Sequence, residues 1–221
     1  MRYERKLTFN KNCLNLINCC INEFNLFETY PSRRVNSIYY DCPNFSCYFE
    51  SINGIKNRKK KRIRWYDYKN DILIFEEKQK LGELGLKEII KDNRFSKSNY
   101  YTDILNTTKN LSYKIKHPKL VDNIYQPTVG VSYKRKYFAT KDLHIRVTLD
   151  TDIIYGKFTA NQKNSSINFY PQDNSNLIEV KYDSKYEIEA NNFIKLISKL
   201  TNCIYERHSK YCNAISNFFW G

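Results

Sequence analysis

Residues 59–66, Lys-Lys-Lys-Arg-Ile-Arg-Trp-Tyr, alternate cations with bulky apolar groups. In a strand, residues i, i+2 and i+4 share a face. Lys60, Arg62, Arg64 and Tyr66 therefore line one face, and Ile63 and Trp65 the other. A second alternating run, 72–81, follows the short turn from Asp67 to Asp71 and puts Glu76, Lys78 and Lys80 on one face. Strands joined so closely pair antiparallel, because a parallel crossover takes about a dozen residues or more.

Outward from this pair, strand-like alternation recurs at 2–9, 34–41, 128–138, 143–150 and 177–183, with a weaker stretch within 153–170. Leu14, Ile17, Ile21 and Phe24 predict a helix in 10–25. A second is expected over 96–116, stopped by Pro118. Ile188, Phe193, Ile194, Ile197 and Leu200 mark another at 185–202, and a last one covers 208–218. Seven or eight strands with these helices predict an α+β domain, a closed or nearly closed antiparallel sheet with helices packed outside. No Pro-, Gly- or Ser-rich linker interrupts the chain, so residues 1–221 are expected to form a single domain.

The other strands repeat the charge pattern. Arg2, Glu4 and Lys6 share a face, as do Tyr133, Arg135 and Tyr137. Arg146, Thr148 and Asp150 align opposite Ile145, Val147 and Leu149; Glu179 and Lys181 align opposite Ile178, Val180 and Tyr182. For one strand alone this is an ordinary solvated face. The set is less ordinary. Glu-x-Lys occurs at Glu4/Lys6, Glu76/Lys78 and Glu179/Lys181, and the other faces carry Arg, whose planar fork of donors matches phosphate oxygens. With helices over the apolar faces, the charged faces turn inward. So many cations in one lumen call for a polyanion and metal ions.

Composition agrees. The formal net charge of +14, from 37 Lys and Arg against 23 Asp and Glu, favours a polyanionic partner. Hydrophobic content of 41% supplies a core and argues against global disorder. Only six glycines occur and no Walker pattern, so phosphate binding falls to side chains rather than a backbone nest. The seven cysteines lack metal-ligand spacing and read as free thiols of a reducing compartment. The charged N-terminus has no apolar signal core, and no run approaches the ~18 apolar residues of a membrane span. The expected location is the cytoplasm.

The ordered pieces resemble the VTC domain, the polyphosphate-polymerase member of the triphosphate tunnel metalloenzymes (CYTH-like superfamily). They run from Tyr3-Glu4-Arg5-Lys6 through Val35-Asn36-Ser37-Ile38-Tyr39-Tyr40-Asp41, Lys61-Arg62-Ile63-Arg64-Trp65-Tyr66 and Glu76-Glu77-Lys78. They continue with Tyr133-Lys134-Arg135, Arg146-Val147-Thr148-Leu149-Asp150, Glu179-Val180-Lys181-Tyr182 and Ser209-Lys210-Tyr211. The resemblance implies an eight-stranded antiparallel β-barrel, the triphosphate tunnel, and a phosphotransferase that moves the γ-phosphate of ATP onto inorganic polyphosphate. It implies triphosphate or polyphosphate binding by Lys6, Arg62, Arg64, Lys78, Arg135, Arg146, Lys181 and Lys210. Arg62, Arg64, Lys210 and Glu179 become the catalytic candidates. Mn²⁺ or Mg²⁺ is expected on Glu179, with Glu4 and Glu76 secondary. Ser37, Tyr39 and Asp41 match a family signature and are read as structural. Where hydrolytic relatives begin Glu-x-Glu-x-Lys, this chain has Arg2 in the first position, which favours polymerase over hydrolase.

Two other readings remain open from the residues. One is a metal-dependent triphosphatase on the same fold. The other is a non-catalytic polyanion- or nucleic-acid-binding module, which would carry its cations on an outer surface among exposed aromatics. The resemblance favours ATP and polyphosphate as partners and no nucleic acid. His117, His144 and His208 are read as incidental, and Lys56 to Lys61 as a solvated turn or a guide for an anionic polymer.

Overall fold

Alternation becomes strand wherever one face can be buried. The computed structural model describes residues 2–67, 73–81, 84–92, 125–160, 165–171 and 175–220. Their strands are β1 (Arg2–Asn10), β2 (Phe27–Asp41), β3 (Arg58–Tyr66), β4 (Leu73–Leu81), β5 (Leu84–Asp92), β6 (Gln126–Ala139), β7 (Ile145–Ala160), β8 (Ser165–Pro171), β9 (Ser175–Asp183) and the two-residue β10 (Ile204–Tyr205). The helices are α1 (Leu14–Glu23), α2 (Ser46–Ile52), α3 (Glu187–Thr201) and α4 (Lys210–Phe219).

The sheet order is β10-β1-β9-β7-β6-β2-β3-β4-β5, with β8 on β7. Every pairing with a described register is antiparallel, as expected from the sequence. Among the described residues ten strands take part, more than the eight implied by the resemblance. Among the described residues the hydrogen-bonded path runs from β10 to β5. Strand β5 and helix α2 were not foreseen, and β2 begins well before residue 34, at Phe27. The helix expected over 96–116 and most of the turn from Asp67 to Asp71 lie outside the described residues.

The chain divides into two compact units, each built from three segments. The first holds residues 1–34, 133–153 and 172–208; the second holds 35–132, 154–171 and 209–221. No single cut in the sequence separates them, which is why no linker is visible in it. In the first unit Leu7 and Phe9 of β1, Ile145, Val147 and Leu149 of β7, and Ile178, Val180 and Tyr182 of β9 form a buried cluster. Ile17, Cys20 and Ile21 of α1 and Ala190, Phe193 and Ile197 of α3 complete it. Each buried Leu, Ile, Val or Phe of this cluster contributes about 1.5–3 kcal/mol by leaving water. The helices thus cover the apolar faces, as the alternation required.

In the second unit the core is Ile38 and Tyr40 of β2, Ile63 and Trp65 of β3, Phe75 of β4 and Ile167 of β8. Gly156 belongs here by necessity: a Cβ at that position would stand 2.3 Å from Ile167 and 3.0 Å from the Asn168 carbonyl. All seven cysteines are free thiols, as expected. No helix among the described residues is long and apolar enough to cross a membrane.

Candidate active site

Register decides which charges meet. In the first unit Lys6 of β1 stands opposite Glu179 of β9, and Glu4 opposite Lys181. On the other side of β9, Arg146 of β7 faces Lys181 and Thr148 faces Glu179. Lys6 Nζ lies 3.2 Å from Glu4 Oε1 and donates to the His208 carbonyl at 3.1 Å. Lys181 Nζ lies 3.5 Å from Glu4 Oε2 and pairs closely with Glu179 Oε1. From β6, Arg135 donates to both oxygens of Asp150, at 2.5 and 2.7 Å, and its Nη2 is 3.9 Å from Glu179 Oε2.

Asp150 is fully buried and Glu179 nearly so. Burial by itself would raise the Glu179 pKa, but Lys181, Lys6 and Arg135 outweigh it and hold the carboxyl well below the usual carboxylate range. Glu179 is therefore ionised at neutral pH. Burial would lower the Arg135 pKa, and the Asp150 carboxylate with Tyr133 and Glu179 more than restores it. Arg146, by contrast, is exposed.

In the second unit Arg62 of β3 faces Tyr39 of β2 on one side and Glu76 of β4 on the other. Its Nε donates to Glu76 Oε2 at 2.5 Å, its Nη2 pairs with the same oxygen, and its Nη1 donates to the Tyr39 hydroxyl at 3.0 Å. Buried Arg64 donates to Ser37 Oγ at 3.3 Å and reaches Glu76 Oε2 at 4.0 Å. Lys60 Nζ contacts Ser209 Oγ at 2.9 Å, and Ser209 caps α4, whose first residue is Lys210.

Burial of Tyr39 would raise its phenol pKa, yet Arg62, Arg64 and Lys210 pull it down to about 8. That is the mark of a strongly positive field. Between β3 and β4 two register pairs oppose like charges, Lys60 with Lys78 and Arg58 with Lys80. Such pairs are unfavourable without an anion between or over them.

The sequence candidates thus fall into two groups. Glu4, Lys6, Arg135, Arg146, Glu179 and Lys181 belong to the first unit; Arg62, Arg64, Glu76, Lys78 and Lys210 belong to the second. Glu76 pairs with Arg62 and Arg64. Among the described residues no group of three or more His, Cys, Asp or Glu is placed to hold a metal ion.

A hard divalent ion of the Mg²⁺ type nevertheless needs only one or two protein carboxylates when phosphates supply the remaining oxygens. Glu179 and Glu4 fit that requirement. Thr148 Oγ1, on the residue directly across from Glu179, is buried with no hydrogen-bond partner among the described residues. A buried orphan hydroxyl beside an ionised carboxylate suits a phosphate oxygen or a metal-bound water.

Sequence reasoning passed over the roles of Asp150, Thr148, Lys60, Ser209 and Tyr211. Asp150 and Thr148 were visible in the same alternation as Arg146, and Lys60 in that of Arg62. His144 is exposed and stacks on Tyr186, whereas His208 is buried with Nδ1 3.4 Å from Glu206.

No curated protein matches the chain by sequence. Solved structures of similar fold include a candidate adenylyl cyclase from Hippeastrum reported to have a dominant triphosphatase activity. It is 16% identical with a TM-score of 0.58, covering 98% of this chain and 96% of that one. A candidate adenylate cyclase from Bacillus halodurans is also 16% identical, TM-score 0.55, covering 99% and 97%. One from Vibrio parahaemolyticus is 12% identical, TM-score 0.52, covering 97% and 98%. At these identities the likeness shows a shared fold, the antiparallel α+β architecture of the triphosphate tunnel proteins. The family model described as VTC domain matches residues 1–219, and the chain therefore belongs to the VTC domain family of tunnel-fold enzymes.

Proposed function

We propose that the chain, acting as one domain, transfers the γ-phosphate of ATP to a growing inorganic polyphosphate chain. The observation that carries this reading is the cationic face of the second unit. Arg58, Lys60, Arg62 and Arg64 lie on one face of β3, and Lys78 and Lys80 stand opposite the first two. From Arg58 to Arg64 that face extends roughly 20 Å along the strand. This is longer than one triphosphate requires, and its run of cations suits an extended polyanion.

Phosphoryl transfer asks the protein for positioning and charge neutralisation. Arg62 and Arg64 are held by Glu76, Tyr39 and Ser37, so their forks are pre-aimed and little reorganisation is needed on binding. In the proposed step the terminal phosphate oxygen of the polymer attacks the γ-phosphorus. One P–O bond forms, the bond to the β-phosphate oxygen breaks, and ADP leaves with the electron pair. Arg62, Arg64 and Lys210 balance the charge on the transferred group. Glu179 with Glu4 would hold Mn²⁺ or Mg²⁺, which supplies neutralisation of phosphate oxygens when bound. Lys6, Lys181 and Arg135 keep Glu179 ionised for that task. No side-chain nucleophile is required.

The second reading, a triphosphatase, draws on the activity reported for the Hippeastrum protein of similar fold. Purified protein incubated with γ-labelled ATP and Mn²⁺ separates the two. A ladder of labelled polymer is expected, and release of free phosphate alone would sink the polymerase. Salt-sensitive RNA binding undiminished by Glu179→Ala, with neither product, would instead mark a non-catalytic polyanion-binding module.

A further inference from the structure

Asp41 ends β2, and it is completely buried. A carboxylate in that position is stable only if its oxygens are satisfied. Oδ1 accepts the amides of Cys42 at 2.8 Å and Cys47 at 2.9 Å; Oδ2 accepts the Tyr48 amide at 3.1 Å and a short bond from the Tyr211 hydroxyl. The Cys47 and Tyr48 amides lie in the first turn of α2. The fourth donor lies on α4, one residue beyond Lys210.

Tyr211 is buried and spends its other surfaces on the same neighbourhood. Its ring packs against Tyr39 at 5.1 Å between centroids, tilted by 31°. The Lys60 ammonium stands 5.6 Å from its centroid, and the same ammonium is bonded to Ser209 Oγ. Tyr39 in turn accepts from Arg62. One hydroxyl–carboxylate bond therefore ties the first turn of α4 to the end of β2, between the cations of β3 and Lys210.

We infer that Asp41 and Tyr211 are positioning residues: their hydrogen bond sets Lys210 and Lys60 on the phosphate chain. This rests on the proposed phosphate-binding role of Lys210. The pair touches no substrate. It acts by fixing where two ammonium groups are presented, a placement that two long, flexible side chains would otherwise lose entropy to reach.

The test is a double-mutant cycle with two readouts, tripolyphosphate affinity by calorimetry and ionisation of Tyr39 by ultraviolet absorbance. Tyr211→Phe removes only the hydroxyl. It is expected to weaken tripolyphosphate about tenfold, the scale of one charge-assisted contact, and to move the Tyr39 titration up toward its ordinary value. Lys210→Ala is expected to do both as well. The double variant should lose little more than either single one, because both remove the same contribution. Asp41→Asn, which replaces one acceptor oxygen by a donor, should act in the same direction and serves if Tyr211→Phe does not fold.

A purely structural hydroxyl predicts a lower melting temperature, unchanged affinity and an unmoved Tyr39 titration, and that result overturns the inference. Additive losses in the double variant overturn it equally. If Lys210→Ala leaves tripolyphosphate binding intact, the phosphate role of Lys210 fails instead. The positioning inference is then decided by whether Tyr211→Phe and Lys210→Ala shift Tyr39 together.

Discussion

The two units carry charge in opposite ways. On the charged face of the first, Lys6, Arg135, Arg146 and Lys181 are matched by Glu4, Asp150 and Glu179, and every one of these carboxylates touches a cation. The face of the second carries Arg58, Lys60, Arg62, Arg64, Lys78 and Lys80, of which Arg62 and Arg64 contact Glu76, with Lys210 on α4. The first arrangement is close to neutral and keeps a buried acid ionised. The second is a positive field that pulls the Tyr39 phenol down to about 8. A balanced face suits a metal-bound phosphate, and an unbalanced one suits the bare anion. This division of labour can be broken at either end.

The largest effect is expected at Glu179. Glu179→Ala should lower metal-dependent turnover by at least about a hundredfold, beyond the usual cost of losing a residue that merely supports a metal ligand. The same variant takes one acid from among Lys6, Lys181 and Arg135, so metal-free tripolyphosphate should bind more tightly. Parallel turnover and calorimetric measurements check both. Unchanged turnover removes the metal assignment, and weaker metal-free binding contradicts the balanced-face account.

Next is stability. Arg135→Met removes the two-bond partner of the fully buried Asp150, and breaking such a pair costs about 3–5 kcal/mol; urea titration reads it. Arg64→Met comes third, with a loss of about 1.5–3 kcal/mol in tripolyphosphate affinity and less in stability, since its hydrogen-bond partner Ser37 is neutral and Glu76 keeps Arg62.

A smaller effect follows from pH. Tyr39 titrates near 8 in the folded protein against an ordinary 10.0. Tyrosinate would compete with phosphate for Arg62, so affinity should fall as pH rises through 8. Bound anion should reciprocally raise the Tyr39 value. The folded value lies below the unfolded one. The stability Tyr39 adds is thus complete above 10 and is lost as pH falls through about 8. Tyr39→Phe should flatten the affinity profile. The smallest change belongs to Arg146→Ala: as an exposed cation it should alter affinity by less than about 1 kcal/mol.

Most strands were legible because each hides an apolar set on one face: Leu7 and Phe9, Val147 and Leu149, Val180 and Tyr182 are periodic in sequence and buried in fact. β2 was seen only in part, since Glu28, Tyr30, Pro31 and the Arg33–Arg34 pair lie in its half-exposed first stretch, where burial imposes no period. α2 is seven residues long and is organised by Asp41 rather than by its own pattern. The site shows the same limit. Arg62 and Glu76 are 14 residues apart on one hairpin and could be paired by eye. Asp150 with Arg135 also looked like two separate facts until β6 brought them together. The Asp41–Tyr211 bond joins residues 170 positions apart, a distance at which alternation carries no information.

That separation in sequence also orders events in time. Lys6 is near the start of the chain, but the strand carrying Glu179 comes late, and the neighbouring contact between Arg5 and Tyr182 spans 177 residues. Contacts of such range form after local ones, because closing the long loop must precede any gain from the pairing. On a growing chain the β3–β4 hairpin with its surplus of cations is complete long before β9 leaves the ribosome. A chain stopped short of residue 179 would therefore carry the anion-attracting face without the acid assigned to the metal, and a chain stopped short of residue 210 would lack Lys210. Synthesis must pass residue 210 before every cation and acid assigned to the proposed transfer is present.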